Sequence, residues 1–494
     1  MAATETPIQK FYKNTNVFIT GGTGFLGKIL IEKLLRSTEV NTIFLLIRCK
    51  TENDIKSRCE KIFDSEVFNK LKQHNANFKQ KIQPVEGDCA LSGLGLKSTD
   101  RNELINNVNI VFHIAATVKI EGNLKYSFNI NVNGTKDVLD LARDMKHLKS
   151  IIHVSTAYCN CPYKVIEEKI YDCQMCYEDY KTKIEKCSET EIATITPGLI
   201  GKWPNTYTFT KALAESLIKE HATGLPVAIY RPSIVISTYK EPLEGWTENF
   251  YGPTGVYAMM MAGLLRLALA DLTKDSYCIP VDTCVAGLIA TSWDCSIKFE
   301  KSSDIPVYNH VPVENPITWG EVDNLVKLNI DQYPLLNSFW TPFLIVTSNI
   351  TVFSILKIFV HTIPAIISDC VAVFTMNKPS ALKKYNQIHR FVIAISNCST
   401  RNWDYSTDNI SKLYEKLTIE DKELFPMSVT TIHWLRFMKN YTIGMRRYLF
   451  KENDSTLENA KKKYRRFKIV NGVLKCVIVY VFCNLLSSAM RKFT

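Results

Sequence analysis

Residues 16–35 read NVFITGGTGFLGKILIEKLL. A short apolar run, NVFIT, ends in the glycine turn GGTGFLG, and a helical pattern, GKILIEKLL, follows at once. Strand, glycine turn and helix in that order form the context in which a Gly-rich motif binds a dinucleotide. Gly21, Gly24 and Gly27 stand as G-x-x-G-x-x-G. Glycine lets the backbone approach a pyrophosphate, and the helix N-terminus offers it free N–H groups and a positive dipole. A tight turn without a ligand is the plainer alternative.

Outward from this turn the pattern repeats. Strand-like runs recur as NTIFLLI (41–47), KIQPVEGD (81–88), NIVFHIAA (109–116), SIIHVSTAY (150–158) and LPVAIYRPSIV (225–235). Helical patterns at 124–147 and 207–221 separate later runs. Alternating strand and helix predicts an α/β fold, a doubly wound parallel sheet with right-handed crossovers. Ligands of such sheets lie beyond the carboxyl ends of the strands. Asp88, Ala115, Ala116, Thr156 and Pro232 fall at or near those ends.

The second run ends on Arg48, with Lys50 two positions further. An NAD site usually carries an acidic residue there for the ribose 2′-hydroxyl. A guanidinium instead suits a 2′-phosphate, so NADPH is expected over NADH.

Residues 207–211 read YTFTK. Tyr207 and Lys211, at i and i+4, share one helix face. A free phenol titrates near pH 10, and an adjacent ammonium lowers that value toward useful acid–base chemistry. Such a pair also arises by chance. With Thr156 beside it, just past a strand core, the pair becomes a candidate proton-transfer site. Ser155 is the neighbouring hydroxyl, and strand alternation points it the other way.

With TGGTGFLG, VFHIAATV, NVNGT, HVSTAY, YTFTK and YRPSI in order over roughly 15–240, the sequence resembles an extended short-chain dehydrogenase/reductase of Rossmann type. GFLGK, LLIR, Gly87-Asp88, STAYCN and GWTENFYGP resemble, more narrowly, an animal-type fatty acyl-CoA reductase. The run IHWLRFMKNYTIGMRRYLF is similar to the helical "sterile"-type domain of that family.

The resemblance implies two hydride transfers from NADPH, taking a long-chain acyl-CoA through an aldehyde to a primary alcohol with release of coenzyme A. It implies Tyr207 as proton donor, Thr156 as its partner on the substrate oxygen, and Lys211 as holder of the nicotinamide ribose. Asn131 would position Lys211 through water, or is an ordinary helix-start Asn. Thr20, Gly21, Gly22, Thr23, Gly24, Phe25, Leu26, Gly27, Arg48, Lys50, Asp88, Ala115, Ala116, Thr117, Tyr207, Lys211, Pro232 and Ser233 are the residues expected around the cofactor. No metal is expected. Thr156 and Tyr207 are separated by 50 residues, longer than in many simple dehydrogenases; this insert is either a lid or a surface excursion.

The 494 residues are too many for one ordinary domain. The expected division is a cofactor domain at 1–335, a helical domain at 336–460, and a basic flank with a membrane anchor at 461–494. Of the formal charge of +11, KKKYRRFK at 461–468 contributes six positive residues. That local excess argues for an anionic membrane rather than a nucleic-acid groove. The segment that follows, 469–490, is long enough to cross a bilayer, with the catalytic part on the cytosolic side. A helix lying in the interface is the alternative. No lipidation or SKL signal is present, so endoplasmic reticulum is expected ahead of peroxisome. Fifteen scattered cysteines suit reduced thiols. Cys159, Cys161, Cys173 and Cys176 do not form a settled zinc spacing.

Residues 253–270, PTGVYAMMMAGLLRLALA, read as one apolar helix, either core or an acyl tunnel. Residues 343–374 are apolar but interrupted by Lys357, His361, Pro364 and Asp369, which predicts a membrane-facing or substrate-covering helical pair rather than two spans, with a buried core pair as the equal alternative. Whether the chain forms a homo-oligomer is left open. Competing readings are another extended reductase or epimerase, which the apolar C-terminal half disfavours, and a non-catalytic scaffold, which the presence of Thr156, Tyr207 and Lys211 disfavours.

Overall fold

The computed structural model describes residues 5–49, 54–120, 122–299 and 304–493. Its central sheet has seven strands: β1 (Asn16–Thr20), β2 (Thr42–Ile47), β3 (Ile82–Glu86), β4 (Ile110–His113), β5 (Ser150–Val154), β6 (Val227–Pro232) and β7 (Val307–His310). All pair in parallel, in the order β7-β6-β5-β4-β1-β2-β3. The order reverses between β1 and β4, which opens a crevice at the carboxyl ends of those two strands. The glycine turn leaves β1 at that point.

The inner strands β1, β2 and β4 are near-continuous apolar runs because both faces are covered. Phe18, Phe44, Leu46, Val111, Ile151 and Ile229 form one face and join Val138, Leu139, Leu141 and Ala142 in a buried cluster. The helices used below are α1 (Phe25–Ser37), α2 (Gly134–Arg143), α3 (Thr206–His221) and α4 (Val281–Phe299). Helix α2 packs on α3, and α4 packs on α1 and against β5 and β6. Strand β7 escaped the sequence reading because its last two residues, Asn309 and His310, are polar yet buried. Asn309 Nδ2 donates to the carbonyls of Ile166 and Ser406, so its amide is satisfied in the interior.

Contacts divide the chain into two compact units that cross the sequence discontinuously, where the sequence reading drew contiguous segments. The first holds Met1–Trp246, Asp275–Thr318 and Arg401–His433; the second holds Thr247–Lys274, Trp319–Thr400 and Trp434–Thr494. The second is mainly helical: α5 (Trp319–Gln332) packs on α8 (Trp434–Gly444), and α7 (Ala381–Ser399) and α9 (Leu457–Phe493) belong to the same unit.

Two apolar stretches depart from their sequence reading. The helix expected over 253–270 stops at Met261; Gly263 adopts a left-handed φ of 73° and the chain re-emerges as a strand, Leu267–Leu269, paired with Ile345–Thr347. A side chain at Gly263 would meet the Trp340 carbonyl oxygen at 2.5 Å, so this break needs glycine. Met260 and Met261 are fully buried core.

The other correction concerns the pair expected within 343–374. Residues Ile350–Phe374 form one helical run, α6, and among the described residues this helix is long and apolar enough to cross a membrane. Two of the polar residues that looked like interruptions, His361 and Asp369, have partners. His361 Nε2 accepts the Arg266 N–H at 3.0 Å, and the Asp369 carboxylate accepts the N–H groups of Ser380, Ala381 and Leu382, capping α7. Pro364 follows a π-helical turn, Ile358–Thr362, where the regular hydrogen-bond ladder is already widened.

Candidate active site

The glycine turn is built by close approach. Gly21 has φ +76°, and a Cβ there would lie 2.6 Å from the Ala115 nitrogen. A Cβ on Gly27 would lie 2.5 Å from the Gly21 carbonyl oxygen. Gly22 is buried, and Thr23 and Gly24 are exposed at the tip. Gly24 is the N-cap of α1 and provides no side-chain cap, so the first N–H groups of α1, at Phe25, Leu26 and Gly27, are left for an anion as at any open helix N-terminus. The Phe25 ring stacks on Trp246 at 5.3 Å between centroids. This cradle fits a dinucleotide pyrophosphate.

Thr20, last in β1, turns its hydroxyl inward. Its Oγ1 accepts the Ala115 N–H at 3.2 Å and lies 2.8 Å from His113 Nδ1. The β1–β4 pairing thus carries on past the strand ends and holds Ala115 and Ala116 next to the turn.

Helix α3 begins where Asn205 caps it, Oδ1 accepting the Thr208 N–H at 2.9 Å. Tyr207, half-buried, stands in its first turn. Lys211, one turn on, is buried, and its Nζ donates to the Val154 carbonyl oxygen at 2.7 Å. That bond fixes the ammonium at the carboxyl end of β5, two residues before Thr156. Burial pushes Lys211 down to about 8, with the Glu215 carboxylate opposing the shift. Thr156 is buried, its Oγ1 accepting the Tyr158 N–H at 3.3 Å. The Ala157 N–H donates to the Pro232 carbonyl oxygen at 2.9 Å, which seats Thr156 beside Pro232 and Ser233 at the end of β6.

Asn131 lies in a π-helical turn, Asn129–Asn133, that runs into α2. Its Oδ1 accepts the Thr117 N–H at 2.9 Å, and its Nδ2 donates to the Thr117 carbonyl at 3.2 Å and to Thr210 Oγ1 at 3.0 Å. The buried amide therefore clamps the loop after β4 and reaches α3 at Thr210, the neighbour of Lys211.

At the end of β2, Arg48 is exposed. Arg58, from the helix Asp54–Phe63, donates Nη1–H to the Arg48 carbonyl oxygen, a second guanidinium that the sequence reading did not single out. Lys50 lies outside the described residues. Asp88 follows β3; the Gly87 N–H donates to the Ile47 carbonyl at 3.2 Å, and Asp88 Oδ1 accepts the Ala90 N–H at 3.0 Å.

A buried ion pair behind the site was also missed. Arg231 grips Glu215 through Nε to Oε1 at 2.9 Å and Nη2 to Oε2 at 2.6 Å, and Cys159 Sγ donates to Glu215 Oε1 at 3.1 Å. Arg231 also donates to the carbonyls of Glu167 and Lys169, which anchors the start of the long insert. Further along the insert, Tyr180 and Trp203 pack edge-on against Phe209 of α3. The only sequence signal was that Glu215 lies four residues after Lys211 on α3 and Arg231 sits in an otherwise apolar strand.

Comparison with known proteins agrees with this geometry. An NAD-binding family model described as male sterility protein matches residues 19–288, and a Sterile model with the same description matches 360–452. The chain is 40% identical over 491 residues to the fatty acyl-CoA reductase wat of Drosophila melanogaster, covering 99% of this chain and 94% of that one. It is 34% identical over 474 residues to fatty acyl-CoA reductase 1 of Homo sapiens, covering 96% and 92%. Among solved structures, the reductase domain of a non-ribosomal peptide synthetase from Mycobacterium tuberculosis superposes with a TM-score of 0.59 at 18% identity, covering 89% of this chain and 92% of that one. The terminal R domain of the myxalamid pathway gives 0.58 at 20%, covering 88% and 92%. At such identities these structures speak for the fold alone. Near-full-length identity to named reductases, on a nucleotide-binding sheet with its glycine cradle intact, makes this chain a member of the fatty acyl-CoA reductase family, an oxidoreductase that takes a nicotinamide cofactor.

Proposed function

We propose that the protein reduces long-chain fatty acyl-CoA to the primary alcohol, by way of the aldehyde, with NADPH as reductant and release of coenzyme A. The observation that carries this reading is the Lys211–Val154 bond, which sets a buried ammonium one helical turn from Tyr207 and two residues from Thr156. Arg48, with Arg58 against its carbonyl, supports a 2′-phosphate and hence NADPH.

A bound reduced nicotinamide supplies hydride to the carbonyl carbon. Tyr207 donates its proton to the carbonyl oxygen as charge develops there, and Thr156 hydrogen-bonds the same oxygen. Lys211 would stabilise the phenolate left on Tyr207 and would hold the nicotinamide ribose. Asn131 acts on α3 through Thr210 and on the cofactor loop through Thr117. The tetrahedral hemithioacetal would expel coenzyme A thiolate to give the aldehyde, and after exchange of the spent cofactor for a second NADPH the same residues would serve its reduction to the alcohol.

The C-terminal segment 461–494 is assigned to a lipid bilayer, with endoplasmic reticulum as the compartment and peroxisome as the alternative. The domain limits at 335/336 and 460/461 remain part of this proposal.

The test is a product assay on membranes from cells expressing the chain, given NADPH and acyl-CoAs of graded chain length, with Tyr207→Phe beside wild type. Fatty alcohol from wild type and none from the variant supports the reading. Aldehyde alone keeps the site and removes the second reduction. Folded protein that binds NADPH yet turns over no acyl-CoA overturns it.

A further inference from the structure

A continuous path of buried polar groups runs beneath the glycine turn from β1 to α3, and its donors and acceptors can be assigned one by one. Thr135 Oγ1 donates to the Asn131 carbonyl oxygen at 2.8 Å, which uses its one proton. It lies 3.1 Å from His113 Nε2 and can only accept there, so Nε2 carries the hydrogen. In the neutral ring Nδ1 is then an acceptor, and Thr20 Oγ1, at 2.8 Å, donates to it. The same Thr20 oxygen accepts the Ala115 N–H. At the other end, the Asn131 amide binds Thr117 on both its N–H and C=O and donates to Thr210 Oγ1. Thr210 Oγ1 has the carbonyls of Thr206, at 2.8 Å, and Tyr207, at 3.1 Å, as acceptors.

One tautomer of one histidine satisfies the whole path. Thr20, His113, Asn131, Thr135 and Thr210 are all buried to 2% exposure or less, so no solvent substitutes for a missing partner.

We propose that His113 is a positioning residue: as its neutral Nε2–H tautomer it ties the strand entering the glycine turn, through Thr135 and Asn131, to the first turn of the helix that carries Tyr207 and Lys211. The proposal rests on the Tyr207/Lys211 reading of the site. Burial, with the Lys211 charge adding to it, pushes His113 down to about 3, which keeps the ring neutral under working conditions. The partners of His113 meet the two bodies whose separation matters for reduction. Thr20 precedes Gly21 of the cofactor cradle; Asn131 grips Thr117 and α3. A misplacement of about 1 Å between reacting groups lowers rates on the order of 100-fold.

Thr135 offers the cleanest test, since it touches neither cofactor nor substrate in the proposed mechanism. Thr135→Val keeps the volume and removes the hydroxyl; Thr135→Ser keeps the hydroxyl. Steady-state kinetics, melting temperature and amide hydrogen exchange over residues 114–118 are measured on both full-length variants without and with NADPH. The expected result is a fall in kcat on the order of 10- to 100-fold for Thr135→Val, with the KM for acyl-CoA within about twofold by the same logic of lost alignment, and faster exchange at Thr117. Thr135→Ser is expected to restore both readouts. Equal kcat for the two variants, whether both active or both impaired, overturns the proposal, as does a lower melting temperature with unchanged kcat and exchange. If Thr135→Val does not fold, Thr135→Ala against Thr135→Ser makes the same comparison. Tyr207→Phe runs alongside: its full activity would defeat the underlying site reading, while the exchange result still decides whether the path holds Thr117.

Discussion

The Lys211 ammonium donates to the Val154 carbonyl oxygen at 2.7 Å, joining α3 to the carboxyl end of β5 in the interior. The bond is made in a place that disfavours the charge, and burial lowers Lys211 to about 8. Two consequences of opposite sign follow. Activity that needs the ammonium declines as pH rises through about 8. Stability moves the other way: below about 8 the cost of burying the charge is fully present, and between about 8 and the unfolded value near 10.4 the unfolded chain binds more protons, so stability rises with pH. kcat/KM and melting temperature measured together across that range should diverge. Lys211→Met should lower kcat/KM on the order of 100-fold or more and remove the limb.

The three motif glycines differ in what they protect. A methyl group on Gly27 meets the Gly21 carbonyl oxygen at 2.5 Å, whereas on Gly24 the nearest atom, the same oxygen, is 3.3 Å away. Gly27→Ala should therefore destabilise the protein without cofactor by about 1–3 kcal/mol, seen in its melting temperature. Gly24→Ala should leave that temperature nearly unchanged and weaken NADPH binding by about tenfold, because its added methyl stands at the outward tip of the cradle. Matching losses of stability in both variants would refute this division.

Arg48 and Arg58 concentrate positive charge at the end of β2, and the Arg48 side chain is exposed there. Arg48→Ala should raise the Kd for NADPH by about tenfold and change that for NADH by less than about twofold, since a charge-assisted contact to the 2′-phosphate contributes about 1.5–3 kcal/mol. Equal weakening of both cofactors would mean that Arg48 acts on the fold or on the shared part of the dinucleotide.

What the sequence disclosed depended on periodicity and on local motifs. Most of the first six strands were legible as short apolar runs, and β3, IQPVE, by its place in the alternation of strand and helix. β7 was not, because VYNH hides Asn309 and His310 in the interior by hydrogen bonding rather than by apolarity. Of the candidate site, the glycines and the Tyr207/Lys211 spacing are local and could be read. The contacts of Asn131 with Thr117 and of Thr20 with His113 span 14 and 93 residues. Only the β1–β4 pairing brings the second of these together. The 253–270 stretch was misread because hydropathy is blind to Gly263, whose left-handed backbone ends the helix environment. In 343–374 polarity was mistaken for interruption, although Asp369 and His361 are bonded to neighbouring segments.

Membrane attachment should then have two sources. On α6, Phe359, Ile366, Ile367, Val371 and Phe374 are exposed, the last at 88%, in a helix of 25 residues. On α9, the first turns belong to the second unit: Tyr464 Oη donates to Asp331 at 2.5 Å and Lys463 Nζ to the Leu336 carbonyl at 2.9 Å. Truncation after Lys468 keeps those bonds and removes the apolar part of α9. The truncated protein should still float with liposomes. Each exposed Ile, Val or Phe that leaves water gains about 1.5–3 kcal/mol, so the α6 residues suffice for attachment without α9. Adding Ile367→Glu and Val371→Glu should release it, because two carboxylates would enter the apolar phase. If the truncated chain is already soluble in a flotation assay, α6 is not a membrane contact and 469–490 carries attachment alone.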